Sequence, residues 1–98
     1  MYILANRYDT VLYVGVTSDL LRRIEEHRSG QGSTFTTRYR VYKLVYAEEH
    51  ATAYDAISRE KQLKGWTRRR KLELIQGSNP SLNDLAESEL GDPLLRSG

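Results

Sequence analysis

Three stretches of the chain carry the short apolar runs of β-strands, and three others carry the spacing of amphipathic helices. Tyr2 to Ala5 reads as a first strand. Val11 to Val16, rich in β-branched and aromatic residues, reads as a second. The polar link Asn6-Arg7-Tyr8-Asp9-Thr10 between them is rich in turn residues and implies an antiparallel hairpin. Leu20, Ile24 and His27 then share one face of a helix, which Ser18 caps, Asp19 complements at its positive end and Gly30 stops after about Ser29. Gly30 to Thr34 is a loop, Phe35 to Tyr39 a short helical turn, and Val41 to Ala47 a third strand. Thr52, with Asp55 three residues on, caps a helix that runs to Lys64 and ends at Gly65. Thr67 caps another, from Arg68 to about Gln76, with Gly77 as its stop. Asn79-Pro80-Ser81 starts a short acidic helix, and Gly91 to Gly98 is expected to fray.

The order β-β-α-β-α-α predicts a small α+β layered domain. Val11 and Tyr13 alternate with Leu12, Val14 and Val16, so the second strand has bulky residues on both sides and the sheet should be covered on both faces. Residues 1–85 are expected to form the domain, and residues 86–98 an acidic, flexible tail.

Composition narrows the class. The chain has 98 residues, with 39% hydrophobic and 29% charged, which suits one globular domain with a modest core. Without cysteine there is no disulfide framework and no thiolate metal site. The longest apolar stretch, Val11 to Val16, is far too short to span a bilayer, and no signal peptide is legible, so the cytoplasm is the expected compartment. A net charge of +2 says little, but its distribution says more. Residues 1–76 hold 14 Lys/Arg against 9 Asp/Glu, and seven basic residues with one acid, Glu60, lie between Arg59 and Lys71. Such a cluster attracts polyanions, although a solvated helical face has the same composition.

Two tripeptides carry the chemistry. Tyr2-Ile3-Leu4 is followed nine residues later by Tyr13-Val14-Gly15, Arg23 lies ten residues after Tyr13, and Glu60 sits in the run Arg59-Glu60-Lys61-Gln62-Leu63-Lys64-Gly65-Trp66. This order, with Asn79-Pro80 near the end, resembles the GIY-YIG nuclease superfamily, in particular its small standalone bacterial members. The resemblance covers about residues 1–85. It implies a three-stranded antiparallel sheet flanked by helices, and hydrolysis of phosphodiester bonds in nucleic acid, with DNA the expected substrate. It further implies one divalent ion, Mg²⁺ or Mn²⁺, and site residues at Tyr2, Tyr13, Arg23 and Glu60. There are two departures. The first half-motif reads Met1-Tyr2-Ile3 and lacks its Gly, and Val16 stands where some branches place a Lys that would acidify a tyrosine.

The residues support these roles separately. If Tyr2 pairs with Tyr13 across the hairpin, both phenols point to one side of the sheet. A strand tyrosine can equally be only a packing residue. Glu60 falls within the helical stripe of Ala53, Ala56, Ile57 and Leu63. A carboxylate facing a core is costly unless it binds a metal or is paired, here with Arg23 or Arg59. Arg23 has the fork geometry of a phosphate clamp, or else pairs with Glu26 or Asp19 on the surface. His27, one turn on, either relays a proton or completes the apolar face. Arg22, Arg68, Arg69, Arg70 and Lys71 are candidates for nucleic-acid contact, while Leu72 and Ile75 face the core. Asn79 is read as a helix cap, Trp66 as a packed anchor, and His50 has no assigned role.

No recognition helix, zinc finger or second domain is legible, which implies structure-directed or weakly selective cleavage, or a partner protein that supplies targeting. The chain is expected to be a monomer or weak homodimer. Two other functions fit the same residues. One is a non-catalytic nucleic-acid-binding module using the Arg68–Lys71 run, and the other a protein-interaction domain.

Overall fold

The computed structural model describes residues 1–31 and 34–86. The strands are β1 (Tyr2–Ala5), β2 (Leu12–Gly15) and β3 (Lys43–Ala47), and the helices are α1 (Leu20–Arg28), α2 (Thr34–Tyr39), α3 (Ala53–Lys64) and α4 (Arg68–Ser78). The chain thus forms the α+β domain expected, with the helical turn after the glycine loop realised as a six-residue helix. The three strands make one antiparallel sheet in the order β2-β1-β3.

Strand β1 is central and buried along its whole length, and its alternation builds two cores. Ile3 and Ala5 face one side with Val14, Val45, Leu63 and Ile75, which brings α3 and α4 onto that face. Tyr2 and Leu4 face the other with Ile24, Val41 and Leu44, which brings α1 there. The sheet is covered on both faces, as the second strand's sequence implied.

The hairpin register differs from expectation. Tyr2 pairs with Gly15 and Tyr13 with Leu4. The loop dictates this. Asn6 Oδ1 accepts hydrogen bonds from the amides of Thr10 (2.8 Å) and Val11 (3.0 Å), and Asp9 takes a left-handed φ of 58°. The offset is two residues, the side-chain period of a strand, so both tyrosines still share a face.

Strand β3 carries a register shift. Ile3 pairs with Tyr46 and Leu4 with Leu44, which leaves Val45 as the extra residue of a bulge. The Val45 carbonyl is satisfied by Asn79 Nδ2 at 3.1 Å. Asn79 also donates to the Asn83 carbonyl and accepts from the Asn83 amide. It therefore clamps a turn to the sheet rather than capping a helix at Asn79-Pro80-Ser81, and helical backbone resumes only at Leu85. The tail expected at 86–98 lies outside the described residues beyond Ala86.

Three boundaries move for local reasons. Asp19, not Ser18, caps α1, because its side chain accepts from the Arg22 amide. Helix α4 runs through Gly77 to Ser78, since the Asn79 amide bonds to the Ile75 carbonyl and one interior Gly is tolerated. On α3 the inward positions are Ala56 and Leu63, while Ala53 and Ile57 are exposed. The 56-60-63 spacing puts Glu60 directly between the two buried residues.

Candidate active site

The site is built on the Tyr2/Leu4 face of the sheet. Tyr2 comes from β1, Tyr13 from β2, and Arg23 and His27 from α1. Their rings interlock, with centroids 6.3 Å apart for Tyr2–Tyr13, 6.1 Å for Tyr2–His27 and 5.6 Å for Tyr13–His27. This proximity requires Gly15. A Cβ there would stand 2.6 Å from the Tyr2 ring and hydroxyl and 2.9 Å from Tyr13 Cε1. The last residue of the second tripeptide is thus the space into which the first tripeptide's tyrosine fits.

His27 is fully buried and bonded at both nitrogens. Nε2 lies 3.1 Å from the Tyr2 hydroxyl, and Nδ1 lies 2.8 Å from Thr36 Oγ1 on α2. Burial, and then the nearby Arg23 cation, hold the imidazole pKa below its ordinary value. Burial pushes the Tyr2 phenol up, against the opposing pull of Arg23. Both groups are therefore neutral near pH 7, and the imidazole tautomer sets the direction of both bonds: with the hydrogen on Nδ1, directed at Thr36 Oγ1, Nε2 accepts the phenol O–H. Thr36 had no signal in the sequence, being one of several hydroxyls in a polar stretch.

Arg23 lies beside the phenols. Its pKa is raised, first by its interaction with the Tyr2 oxygen. It also contacts Glu26 at 3.7 Å, the surface pairing that the sequence offers as the alternative to a phosphate clamp. Arg22 is largely exposed, with a loose 4.0 Å contact to the same Glu26. A cavity of about 620 Å³ opens beside Tyr2, between the β2–α1 turn (Thr17, Ser18) and the β3–α3 turn (Glu48 to Thr52).

Glu60 stands apart from this cluster. It sits on α3, one-fifth exposed, 3.5 Å from Lys64 Nζ, and it interacts electrostatically with the Met1 amino group next to Tyr2. Neither pairing suggested by the sequence forms, because Arg59 is taken by Glu48 at 3.1 Å. Among the described residues no group of three or more His, Asp or Glu could enclose a metal. Glu60 can offer a single carboxylate, which suits a hard cation that keeps most of its water and shares phosphate oxygens.

The basic run on α4 lies on the opposite face of the sheet from the phenols. Arg68 donates to the Asp9 carbonyl, Arg69 pairs with Glu73 at 3.3 Å, and Arg70 stacks 4.1 Å above the centre of Trp66. Lys71 is half-buried on the same helix. Trp66 packs against the core with Arg59 on it as well, the anchor expected of it. A further network, not foreseen, joins Tyr46, Glu48, His50 and Arg59. The Glu48 carboxylate receives Tyr46 Oη, Arg59 and, at 3.0 Å, His50 Nε2. Burial opposes the ionised form of Glu48, but these donors outweigh it and hold its pKa low. Burial, then the hydrogen bond to Glu48 and its charge, push Tyr46 up to about 12.

A three-stranded antiparallel sheet that gathers two tyrosines, an arginine and a histidine on one face defines a small α+β domain with a polar site against its central strand. The GIY-YIG catalytic domain model matches residues 1–73, and the chain belongs to that family, a superfamily of nuclease-type hydrolases. It is similar to a UPF0213 protein of Pediococcus pentosaceus, 38% identical over 77 residues, covering 79% of this chain and 81% of that one. It is also similar to a UPF0213 protein of Staphylococcus aureus strain Mu3, 41% identical over 68 residues, covering 69% and 83%. No solved structure gives a significant match. No helix among the described residues is long and apolar enough to cross a membrane.

Proposed function

We propose that this protein is an endonuclease that hydrolyses phosphodiester bonds in DNA, with one Mg²⁺ or Mn²⁺ ion held by Glu60. The observation that carries this reading is the convergence of Tyr2, Tyr13, Arg23 and His27 on one face of the sheet, in a chain of a nuclease family. When bound, the ion supplies positive charge to the phosphate and makes water more acidic. Arg23 holds two phosphate oxygens and offsets the charge that develops on them. Tyr2 is kept neutral by burial, so it acts as a relay and not as a preformed phenolate. It takes the proton of the attacking water as its own proton moves to His27 Nε2, and Thr36 holds the imidazole in the tautomer that can receive it. Tyr13, half-buried, orients the water or a phosphate oxygen from the open side. Arg22 and the run Arg68, Arg69, Arg70 and Lys71 attract the polyanion.

The test is cleavage with Mg²⁺ and with Mn²⁺ on a panel of linear and branched DNA and RNA substrates, with Glu60→Gln beside the unmodified chain. The expected result is metal-dependent cleavage, lost in Glu60→Gln while substrate binding is kept. Equal cleavage by both proteins overturns the metal assignment. The non-catalytic module is the second reading, favoured by the Lys64–Glu60 pair and by Val16 in place of a cation. Salt-dependent binding with no cleavage on any substrate would establish it.

A further inference from the structure

Three aromatic rings run outward from the site as one shelf. Tyr13 stacks on Phe35 of α2, with centroids 6.1 Å apart and planes 29° apart. Phe35 in turn meets Tyr39 at 4.9 Å. Phe35 and Tyr39 are 42% and 45% exposed, so two large rings lie open to solvent at the edge of a site whose inner rings are buried. Arg38 stands 5.6 Å from the centre of the Tyr39 ring. Between Gln31 and Ala47 the chain holds Arg38, Arg40 and Lys43 and no acid. The other strongly exposed tyrosines differ. Among the described residues Tyr54 has no ring beside it, and Tyr8 has the Arg7 cation over its ring but no second ring.

Aromatic faces continuous with a phosphate site and edged by cations make a stacking platform for nucleobases. A base held in a duplex has both faces covered by its neighbours and cannot use such a platform. We infer that Phe35 and Tyr39 form a base-stacking subsite that takes an unpaired nucleobase of the strand to be cut, next to the scissile phosphate. This rests on the nuclease reading above and adds a substrate class to it, namely strands that are single or splayed at the cleavage point. Arg38 neutralises the backbone of the stacked nucleotide, and Tyr13 links the shelf to the chemistry.

The test needs no cleavage. The full chain is titrated, in EDTA, into single-stranded oligonucleotides carrying 2-aminopurine, in deoxy and ribo forms, and into a blunt DNA duplex. Stacking on the shelf should quench the 2-aminopurine, and single strands should bind more tightly than the duplex. Phe35→Leu with Tyr39→Leu removes both rings at exposed positions. It should abolish the quench and weaken single-strand binding by about tenfold, in the range of lost base stacking. Duplex affinity should not change, Phe35→Trp should restore the quench, and Tyr54→Leu should have no effect. Tyr39→Leu alone, expected to lose part of the quench, serves if the double variant melts early. The sugar form that quenches names the strand. Single-strand binding unchanged in the double variant overturns the shelf and leaves the nuclease reading standing. A dimer in light scattering that the double variant dissociates also overturns it, by giving the shelf to a second copy. No binding of any nucleic acid at low salt overturns both.

Discussion

The Tyr2 hydroxyl lies 3.1 Å from His27 Nε2, and neither side chain has more than 1% of its surface exposed. This hydrogen bond ties the central strand to α1 beneath the site, so it bears on stability and on chemistry together. In Tyr2→Phe the buried imidazole nitrogen loses its partner, which costs about 1–3 kcal/mol. On the relay described above, the variant should also lose nearly all cleavage while binding substrate as before. Thermal melting and single-turnover cleavage, measured on one preparation, check the two effects. A variant with unchanged cleavage would show that the proton leaves by another route.

His27 should give the fold an acid limit. Its pKa is lowered from the ordinary 6.5, by burial first and Arg23 second, with Glu26 opposing. The unfolded chain therefore binds the proton more tightly than the folded one, and stability rises with pH across the window between the two values. The stabilising contribution is complete above the ordinary imidazole pKa and is lost as pH falls through the folded value. Melting temperatures measured from pH 7.5 downward should fall in this window, and His27→Gln should flatten the slope there. The lowered Glu48 carboxyl acts in the same direction, but only below its own ordinary 4.5, so the two are separable.

Gly15→Ala tests the packing of the two half-motifs directly. The new methyl would meet the Tyr2 ring at 2.6 Å, well inside contact distance, and Tyr2 is a buried ring hydrogen-bonded to His27 that must shift to make room. Overpacking of this kind costs about 1–3 kcal/mol. Because the displaced atoms include the Tyr2 hydroxyl, activity should fall further than the stability loss accounts for. Cleavage measured well below the variant's melting temperature separates the two.

The hairpin, the caps at Thr52 and Thr67 and the shared face of the two tyrosines were legible because each depends on local chemistry or on the period of a strand. The pairing of Tyr2 with Gly15 was not, since it is set by the Asn6 side chain and the left-handed Asp9, which tripeptide spacing does not reveal. Glu60 was correctly placed on an inward-facing stripe, yet the stripe itself was misjudged, because Ala53 and Ile57 look apolar and face solvent. The partners of His27 and the Phe35–Tyr39 contact join elements across a loop and leave no periodic trace. The same holds for Glu48, whose partner Arg59 lies eleven residues away on another element.

Asn79 illustrates a residue that matters for a long-range reason. Its amide satisfies the carbonyl of Val45, the extra residue in the β3 bulge, and then closes the turn at Asn83. Asn79→Ala leaves that carbonyl buried without a partner and removes two further bonds, so it should destabilise the domain by about 1–3 kcal/mol. Asn79 follows α4, the helix that covers the face of the sheet away from the phenols. Cleavage per folded molecule should therefore match the unmodified chain, which a denaturant titration paired with an activity assay can establish.

The two groups of surface cations should differ in how they respond to salt. Arg22 neighbours Arg23 on α1 and has a loose 4.0 Å contact with Glu26. On the function proposed above it contacts a phosphate flanking the scissile bond. Arg69 is paired with Glu73 on a helix that covers the opposite face of the sheet. A direct phosphate contact contributes about 0.7 to 0.9 to the slope of log affinity against log salt, whereas a distant charge acts through the overall field. Arg22→Gln should thus lower the slope by roughly that amount. Arg69→Gln should leave the slope near its original value and slow association chiefly at low ionic strength. Affinities measured across a salt series, with association rates at its two ends, decide this. An equal change in slope for both variants would mean that nucleic acid wraps around the edge of the sheet and touches α4 directly.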